Sequence, residues 1–388
     1  MLHHLEGVNG AMAKPSYKSQ NKSRAGSRRH APKAGRSEAR HKPSVDGKPA
    51  GGPRQKPAKP APVTAEPIAR MKWSGPRLPE KTAQVLECLP TSDYALIDSG
   101  DGEKLERYGS LIIRRPEGQA LWQKQLDGVR WDAADASFSG DMDEEGQGRW
   151  RYKGEALPET WPLEFDGMPF YGRFTSFRHT GVFPEQAVHW LSLRDLISSH
   201  KDSRPVSVLN LFGYTGLASL VAARAGATVT HVDASKKAIG WARENQQLAG
   251  LDDAPIRWIC DDAMKFCARE VRRGNSYDII LLDPPAYGRG PKGEVWQLFD
   301  HLPPMLDLVR QLQSSSPLMT VLTAYAIRSS HFAMHEIMQE VFAGMDGRLE
   351  SGELIIRHEA HSSDVEATAT RALSTSMFSR FIAKGADL

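Results

Sequence analysis

The chain has 388 residues, more than one ordinary domain holds, and its 40% apolar residues include no uninterrupted run long enough to cross a bilayer as a helix. It turns polar directly after Leu5, without the apolar core of a secretory signal. Cys88, Cys260 and Cys267 are odd in number and fit no metal-ligand spacing, so the expectation is the reducing cytoplasm, with no metal centre and no membrane. The net charge of +3 conceals an asymmetry: residues 1–70 carry 15 Lys or Arg against four acids, which leaves the remainder with 35 basic and 43 acidic residues.

Residues 1–66 contain a single aromatic, Tyr17, among many Pro, Gly and Ser. Such a composition buries too little apolar surface to offset chain entropy, so a disordered basic tail is expected. It reads either as an arm for phosphate backbones or as a solubilising extension, and Met12 is an alternative start. Residues 67–175 then show short runs rich in Trp, Tyr, Leu and Ile, such as Tyr94–Asp98 and Ser110–Ile113. Turn signals at Ser99–Gly102 and Glu145–Gly148 separate these runs, which predicts a small β-rich domain. Five of the nine tryptophans fall here; burial statistics favour a small core for them over exposed stacking on bases.

From about Ser203 the pattern becomes that of a doubly wound α/β sheet, in which apolar runs alternate with helical segments. Strands are predicted at Val206–Phe212, Thr228–Asp233, Ile256–Cys260, Tyr277–Asp283 and Leu318–Thr323, with Ser235 capping the helix that ends before Gly250. Two final strands, Gly352–Arg357 and Ser374–Ile382, lack a helix between them and are expected to pair antiparallel.

The chemistry is expected at the carboxyl ends of these strands. The first junction, Asn210-Leu211-Phe212-Gly213-Tyr214-Thr215-Gly216, has only Gly-x-x-Gly where a dinucleotide site wants three glycines. A ligand with an amino-acid carboxylate in place of a diphosphate, S-adenosylmethionine among them, needs fewer. Asp233 ends the second strand, where a carboxylate can accept both hydroxyls of a ribose. Asp262, or failing it Asp261, ends the third and suits an adenine amine. Asp283-Pro284-Pro285-Ala286-Tyr287 ends the fourth: an acid and rigid carbonyls face the crevice to hold an amine, and Tyr287 can stack on its base. The following Gly288–Glu294 reads as a mobile loop, in which Arg289 and Lys292 either grip a substrate anion or are simply solvated.

From Thr180 onward the sequence resembles the bacterial class I methyltransferases of large-subunit ribosomal RNA, a family with cytosine-C5 and guanine-N7 members. The resemblance rests on Val208–Gly216, Val232–Ser235, Asp262–Phe266 and Asp283–Pro285, and covers about half the chain. It implies a Rossmann-like class I sheet with a terminal antiparallel strand over residues 176–388, S-adenosylmethionine as cofactor and RNA as substrate. The implied cofactor contacts include Ala234 and Ser235 beside Asp233. Thr180–Gln186 is similar to the family's Gly-x-Phe-x-Asp-Gln-Arg segment but has Glu185 for Asp and Ala187 for Arg, so Gln186 alone is carried over. The cysteine that C5 enzymes carry after strand five is missing from Leu322–Ser329, which favours methylation at a base nitrogen. The alternatives are a small-molecule or protein methyltransferase, and an RNA-binding module with a vestigial cofactor site.

Overall fold

The computed structural model describes residues 69–140, 148–200, 204–325, 329–360 and 370–386. The expected basic tail, and all but Gly148 of the turn at Glu145–Gly148, lie outside them. Among the described residues, no helix is long and apolar enough to cross a membrane.

The first strand among the described residues is one that sequence reading missed. β1 (Glu80–Cys88) leaves the β-rich segment and joins the edge of the main sheet. The strands β2 (Tyr94–Gly100), β3 (Glu103–Tyr108) and β4 (Leu111–Pro116) form a meander. After the short α1 (Gly128–Asp132), β5 (Ala136–Gly140) and β6 (Gly148–Tyr152) complete a five-stranded sheet in sequential order. Next, β7 (Thr160–Phe165) and β8 (Met168–Arg173) make a hairpin through Asp166 and Gly167, both at positive φ, the conformation a two-residue turn between twisted strands requires. The tryptophans serve the core: Trp131 and Trp161 are buried, while Trp73, Trp122 and Trp150 pack partly buried against apolar clusters.

After α2 (Ala187–His200) come β9 (Ser207–Leu211), α3 (Leu217–Arg224), β10 (Thr228–Asp233), α4 (Lys236–Leu248), β11 (Ile256–Cys260), α5 (Ala263–Arg273) and β12 (Ile279–Leu282). A two-stranded hairpin, β13 (Tyr287–Arg289) and β14 (Val295–Gln297), then precedes α6 (Leu298–Gln311), β15 (Met319–Tyr325), α7 (His331–Phe342), β16 (Gly347–Arg357) and β17 (Ala372–Ala383). The main sheet runs β1-β16-β17-β15-β12-β9-β10-β11. β17 lies antiparallel to both β15 and β16, as the missing crossover helix demands.

Ser235 accepts the Ala238 amide as the N-cap of α4, and Gly250 beyond its end has φ 65°. The predicted strand at Val206–Phe212 stops at Leu211 because Phe212 turns to φ 58°. The strand predicted from Gly352 begins five residues earlier, its start concealed by charge: Glu350 is buried there because Arg380 on β17 donates to it at 2.7 and 3.0 Å. Gly352 itself lies so close under β1 that a Cβ would overlap the Gln84 carbonyl.

Strand order reverses between β9 and β12, so the helices after them leave on opposite faces. The resulting crevice at the carboxyl ends is where an open α/β sheet takes its ligand.

Candidate active site

The crevice is a cavity of about 370 Å³ lined by Phe212 and Tyr214 from the β9 loop, Asp233, Ala234 and Ser235 after β10, Asp261 and Asp262 after β11, and Asp283 to Gly290 after β12. Four strand ends thus converge on one volume. It is completed by Phe177, His179, Phe183, Trp296 and Tyr325. None of these five was expected. Their signal was weak because Phe183 precedes the alternating strands and helices that begin at β9, and Tyr325 reads as the last residue of an apolar strand.

The β9 loop is held tightly. Phe212 and Tyr214 both take left-handed backbone, at φ 58° and 51°, which non-glycine residues adopt only where their surroundings enforce it. The Tyr214 amide donates to Asp233 Oδ2 at 2.9 Å, and Thr215 Oγ1 donates to the Gly181 carbonyl at 2.7 Å. Gly213 rests on the imidazole of His231; a Cβ there would meet His231 Nδ1 at 2.6 Å and Asn210 Nδ2 at 2.9 Å. Neither neighbour can retreat, because Ser219 Oγ links them at 3.0 Å each. Gly213→Ala is therefore expected to lower the thermal midpoint and to raise the cofactor Kd at least tenfold by displacing the loop. A variant with wild-type calorimetric affinity would remove this role from the glycine.

Some expected contacts fall outside the main cavity. Asn210, Gly213, Thr215 and Gln186 line a separate 70 Å³ cavity, which Phe183, Phe212, Tyr214 and Asp283 also border. Asn210 spends its amide on Ser219, inside the core. Gln186, in a 3-10 turn at Pro184–Gln186, donates from Nε2 to Asp283 Oδ2 at 3.1 Å and to the Tyr325 hydroxyl at 3.0 Å, joining the tips of β12 and β15. Gly216 lines neither cavity; at φ 85° it caps α3.

Asp233 is partly buried at the end of β10. Burial pushes its carboxyl above the ordinary range, although the Ser235 and Tyr214 amides oppose this. Those amides use two of about four lone-pair positions, which leaves acceptors for a pair of hydroxyls. Asp261 is engaged by Arg269 and the Asp262 amide, whereas Asp262 gives one oxygen to the Lys265 amide as the cap of α5.

The carbonyls after β12 are not all available. Trp296 Nε1 donates to the Pro285 carbonyl at 2.7 Å and the Leu298 amide to that of Ala286 at 3.0 Å. Among the described residues, no hydrogen bond reaches the Pro284 carbonyl. The segment expected as a mobile loop is instead the β13–β14 hairpin, anchored by buried Trp296 and by Lys265 Nζ to Glu294 at 2.6 Å. Arg289 borders the cavity; Lys292 is exposed and does not.

A doubly wound sheet with an acid at the end of β10, a glycine-bearing first loop and Asp-Pro-Pro at the switch point defines a class I methyltransferase site. The residues are compatible with S-adenosylmethionine: carboxylates with lone pairs to spare at the ends of β10 and β11, and a loop whose glycine a side chain would block. The family model for S-adenosylmethionine-dependent methyltransferases matches residues 144–340, and the chain belongs to that family. A methyltransferase of this kind from Agrobacterium tumefaciens is 57% identical and superposes with a TM-score of 0.77, over 81% of this chain and 98% of that one. Among curated relatives, ribosomal RNA large subunit methyltransferase I of Shewanella denitrificans is 31% identical over 37% of this chain. Methyltransferase K/L of a Psychrobacter species is 36% identical over 34% of it. These alignments span 44% and 15% of the relatives' own lengths.

Proposed function

We propose that the protein methylates a nitrogen of an RNA base, in large-subunit ribosomal RNA, within the cytoplasm. Bound S-adenosylmethionine supplies an electrophilic methyl group on a sulfonium. Asp233, Ala234, Ser235 and Asp262 hold its adenosine half, and Phe212 to Thr215 of the β9 loop its amino-acid half. Asp283 and the Pro284 carbonyl accept hydrogen bonds from the target amine, orienting its lone pair, while Tyr287 stacks on the base. Arg289 serves the adjacent phosphate, with Lys292 and the basic residues of 1–66 as more distant contacts.

The observation that carries this reading is the absence of a usable thiol. Among the described residues, no cysteine lines the cavity. Tyr325 occupies the end of β15, and positions 326–328 are Ala, Ile and Arg. Burial pushes the Cys88 thiol up to about 12 and raises that of Cys267, while partial desolvation and the neighbouring Asp233 and Asp261 carboxylates raise that of the exposed Cys260, the opposite of what a nucleophile needs. Addition to carbon 6 of a pyrimidine therefore has no candidate residue, whereas a nitrogen attacks without covalent help.

Fluoropyrimidine-substituted ribosomal RNA is accordingly expected to form no cross-link with the enzyme, and nucleoside mass spectrometry of product RNA to show an N-methylated base. 5-Methylcytidine, or transfer only to metabolites or protein, would sink the proposal.

A further inference from the structure

The segment that leads from β8 to the 3-10 turn at Pro184–Gln186 places an aromatic ring at the rim of the main cavity. Phe177 lines that cavity and is nevertheless 38% exposed, and the methyl transfer described above makes no use of it. A single exposed apolar side chain would call for no explanation, but this one continues a series of rings. Its ring centroid lies 6.5 Å from that of His179, which lies 5.1 Å from Phe183, and Phe183 in turn lies 5.1 Å from Tyr325 and 5.8 Å from Tyr214. All five line the cavity, so the series runs from solvent to the β9 loop and the end of β15.

The ring stands on a rigid mount. Thr175 Oγ1 accepts from the Phe177 amide at 3.2 Å and donates to the His179 carbonyl at 3.0 Å, which closes residues 175–179 into a tight turn. Two side chains of the β-rich sheet clamp this turn: Trp150 Nε1 on β6 donates to the Thr175 carbonyl at 2.7 Å, and Arg115 Nη1 on β4 donates to the Arg178 carbonyl at 2.9 Å. Both clamps are themselves fixed. Trp150 packs 4.7 Å from Phe174 and 5.1 Å from Phe138, and Arg115 is held by the Glu106 carboxylate. A ring fixed in this way meets a ligand without the entropy cost that ordering a flexible loop would add.

We propose that Phe177 is a stacking platform for the base of a nucleotide next to the one methylated, so that the substrate is an unpaired stretch of RNA. The inference rests on the RNA methyltransferase reading above. The cofactor takes the strand ends and Tyr287 the target base, so the ring at the rim meets the neighbour. A flat apolar ring suits any base, because each offers a π-face once it is out of a helix. Within a duplex both faces of a base are covered, and the platform therefore selects a loop, a bulge or an unpaired end. The β-rich sheet takes part in recognition through the turn it carries, which sets where the platform stands.

The test uses full-length protein and a synthetic RNA oligonucleotide spanning the position found methylated in large-subunit ribosomal RNA, with S-adenosylhomocysteine present so that no turnover occurs. Phe177→Ala should raise the RNA Kd about five- to 150-fold, the range for loss of one base–aromatic stack. Phe177→Trp should restore the affinity, whereas Phe177→Leu, apolar but not aromatic, should not. Cofactor affinity and thermal midpoint should stay at wild-type values, and RNA binding should keep its salt slope, because no phosphate contact is lost. An abasic site on one side of the target should cost the wild type the same factor and cost Phe177→Ala nothing further. If wild type methylates RNA but Phe177→Ala binds it as tightly, or if the abasic and alanine losses add on both sides of the target, the platform alone is overturned. A raised cofactor Kd in Phe177→Ala would make the ring a cover for the cofactor and overturn the platform as well. A wild type that methylates no RNA overturns the function and the platform together.

Discussion

Replacing Asp233 with alanine is expected to weaken S-adenosylmethionine binding by about a hundred- to ten-thousand-fold. A ribose would lose two hydrogen bonds to a charged acceptor, each worth roughly 1.5–3 kcal/mol, and 1.4 kcal/mol is tenfold in affinity. The Tyr214 and Ser235 amides would lose their acceptor too, so the first loop loosens with the second. Asp233→Asn removes the charge but keeps one acceptor oxygen, so one of the two loop amides stays bonded while the other faces the side-chain NH2. The pH dependence has a definite sign. Burial raises the Asp233 carboxyl in the folded protein, so between the ordinary aspartate value of about 3.9 and the raised one folding takes up a proton. The group's contribution to stability of the cofactor-free protein is therefore best at low pH and declines as pH rises through that window. Cofactor affinity moves the other way, since the ionised form is the better acceptor. Calorimetry across this range should show affinity rising with pH in wild type and flat in Asp233→Asn; unchanged affinity in Asp233→Ala would remove the residue from the site.

The second large effect concerns the β-rich sheet. Glu106 on β3 is fully buried and accepts from Arg115 Nε at 2.7 Å and Nη2 at 2.8 Å, and from the hydroxyls of Tyr94 and Tyr108 at 3.0 and 3.1 Å. Burial alone would push this carboxyl up, but Arg115 and Lys104 outweigh it and hold it below the ordinary range. Arg115→Ala leaves a buried carboxylate without its fork partner and is expected to destabilise the fold by about 3–5 kcal/mol. Arg115→Lys should recover only part, since an ammonium restores charge but not the two parallel bonds. In wild type the pair's contribution is present above the ordinary glutamate value and lost as pH falls through the depressed one. The alanine variant reverses this, because its Glu106 is easier to bury protonated, so acid should narrow the gap. Denaturant unfolding at two pH values measures both, and a loss under about 0.5 kcal/mol, the ordinary surface level, would mean the pair is not a buried anchor.

The second half of the chain was legible because its central strands are buried and read as near-continuous apolar runs, and the bounds of β10 and of the edge strand β11 were read to the residue. The acids at their ends follow from where such sheets bind ligands. The first half was harder. Its strands mix charged and apolar residues: Glu106 and Arg115 look like surface residues until the pair is seen buried between β3 and β4. The hairpin signal Asp166-Gly167 was present and went unread, whereas Glu80–Cys88 carries only a weak alternation, and nothing local tells which sheet β1 joins. At the site, side chains that touch through space from distant segments, Gln186 with Asp283 and Tyr325, left no spacing in the sequence to find.

The pairing of β1 with β16 also sets an order of events during synthesis. Glu80 lies opposite Leu349, so the first strand of the described chain must wait for one of the last before it has a neighbour. Contacts this distant along the chain are slow to form, because the entropy of closing so long a loop is lost before any pairing offsets it. Meanwhile β1 leaves the ribosome with a backbone edge unpaired, in the company of Val85, which stays 55% exposed even in the finished fold. The β-rich sheet and the β9–β12 strands can assemble while β1 hangs free, and the protein reaches its final form only when β16 and β17 arrive to receive it.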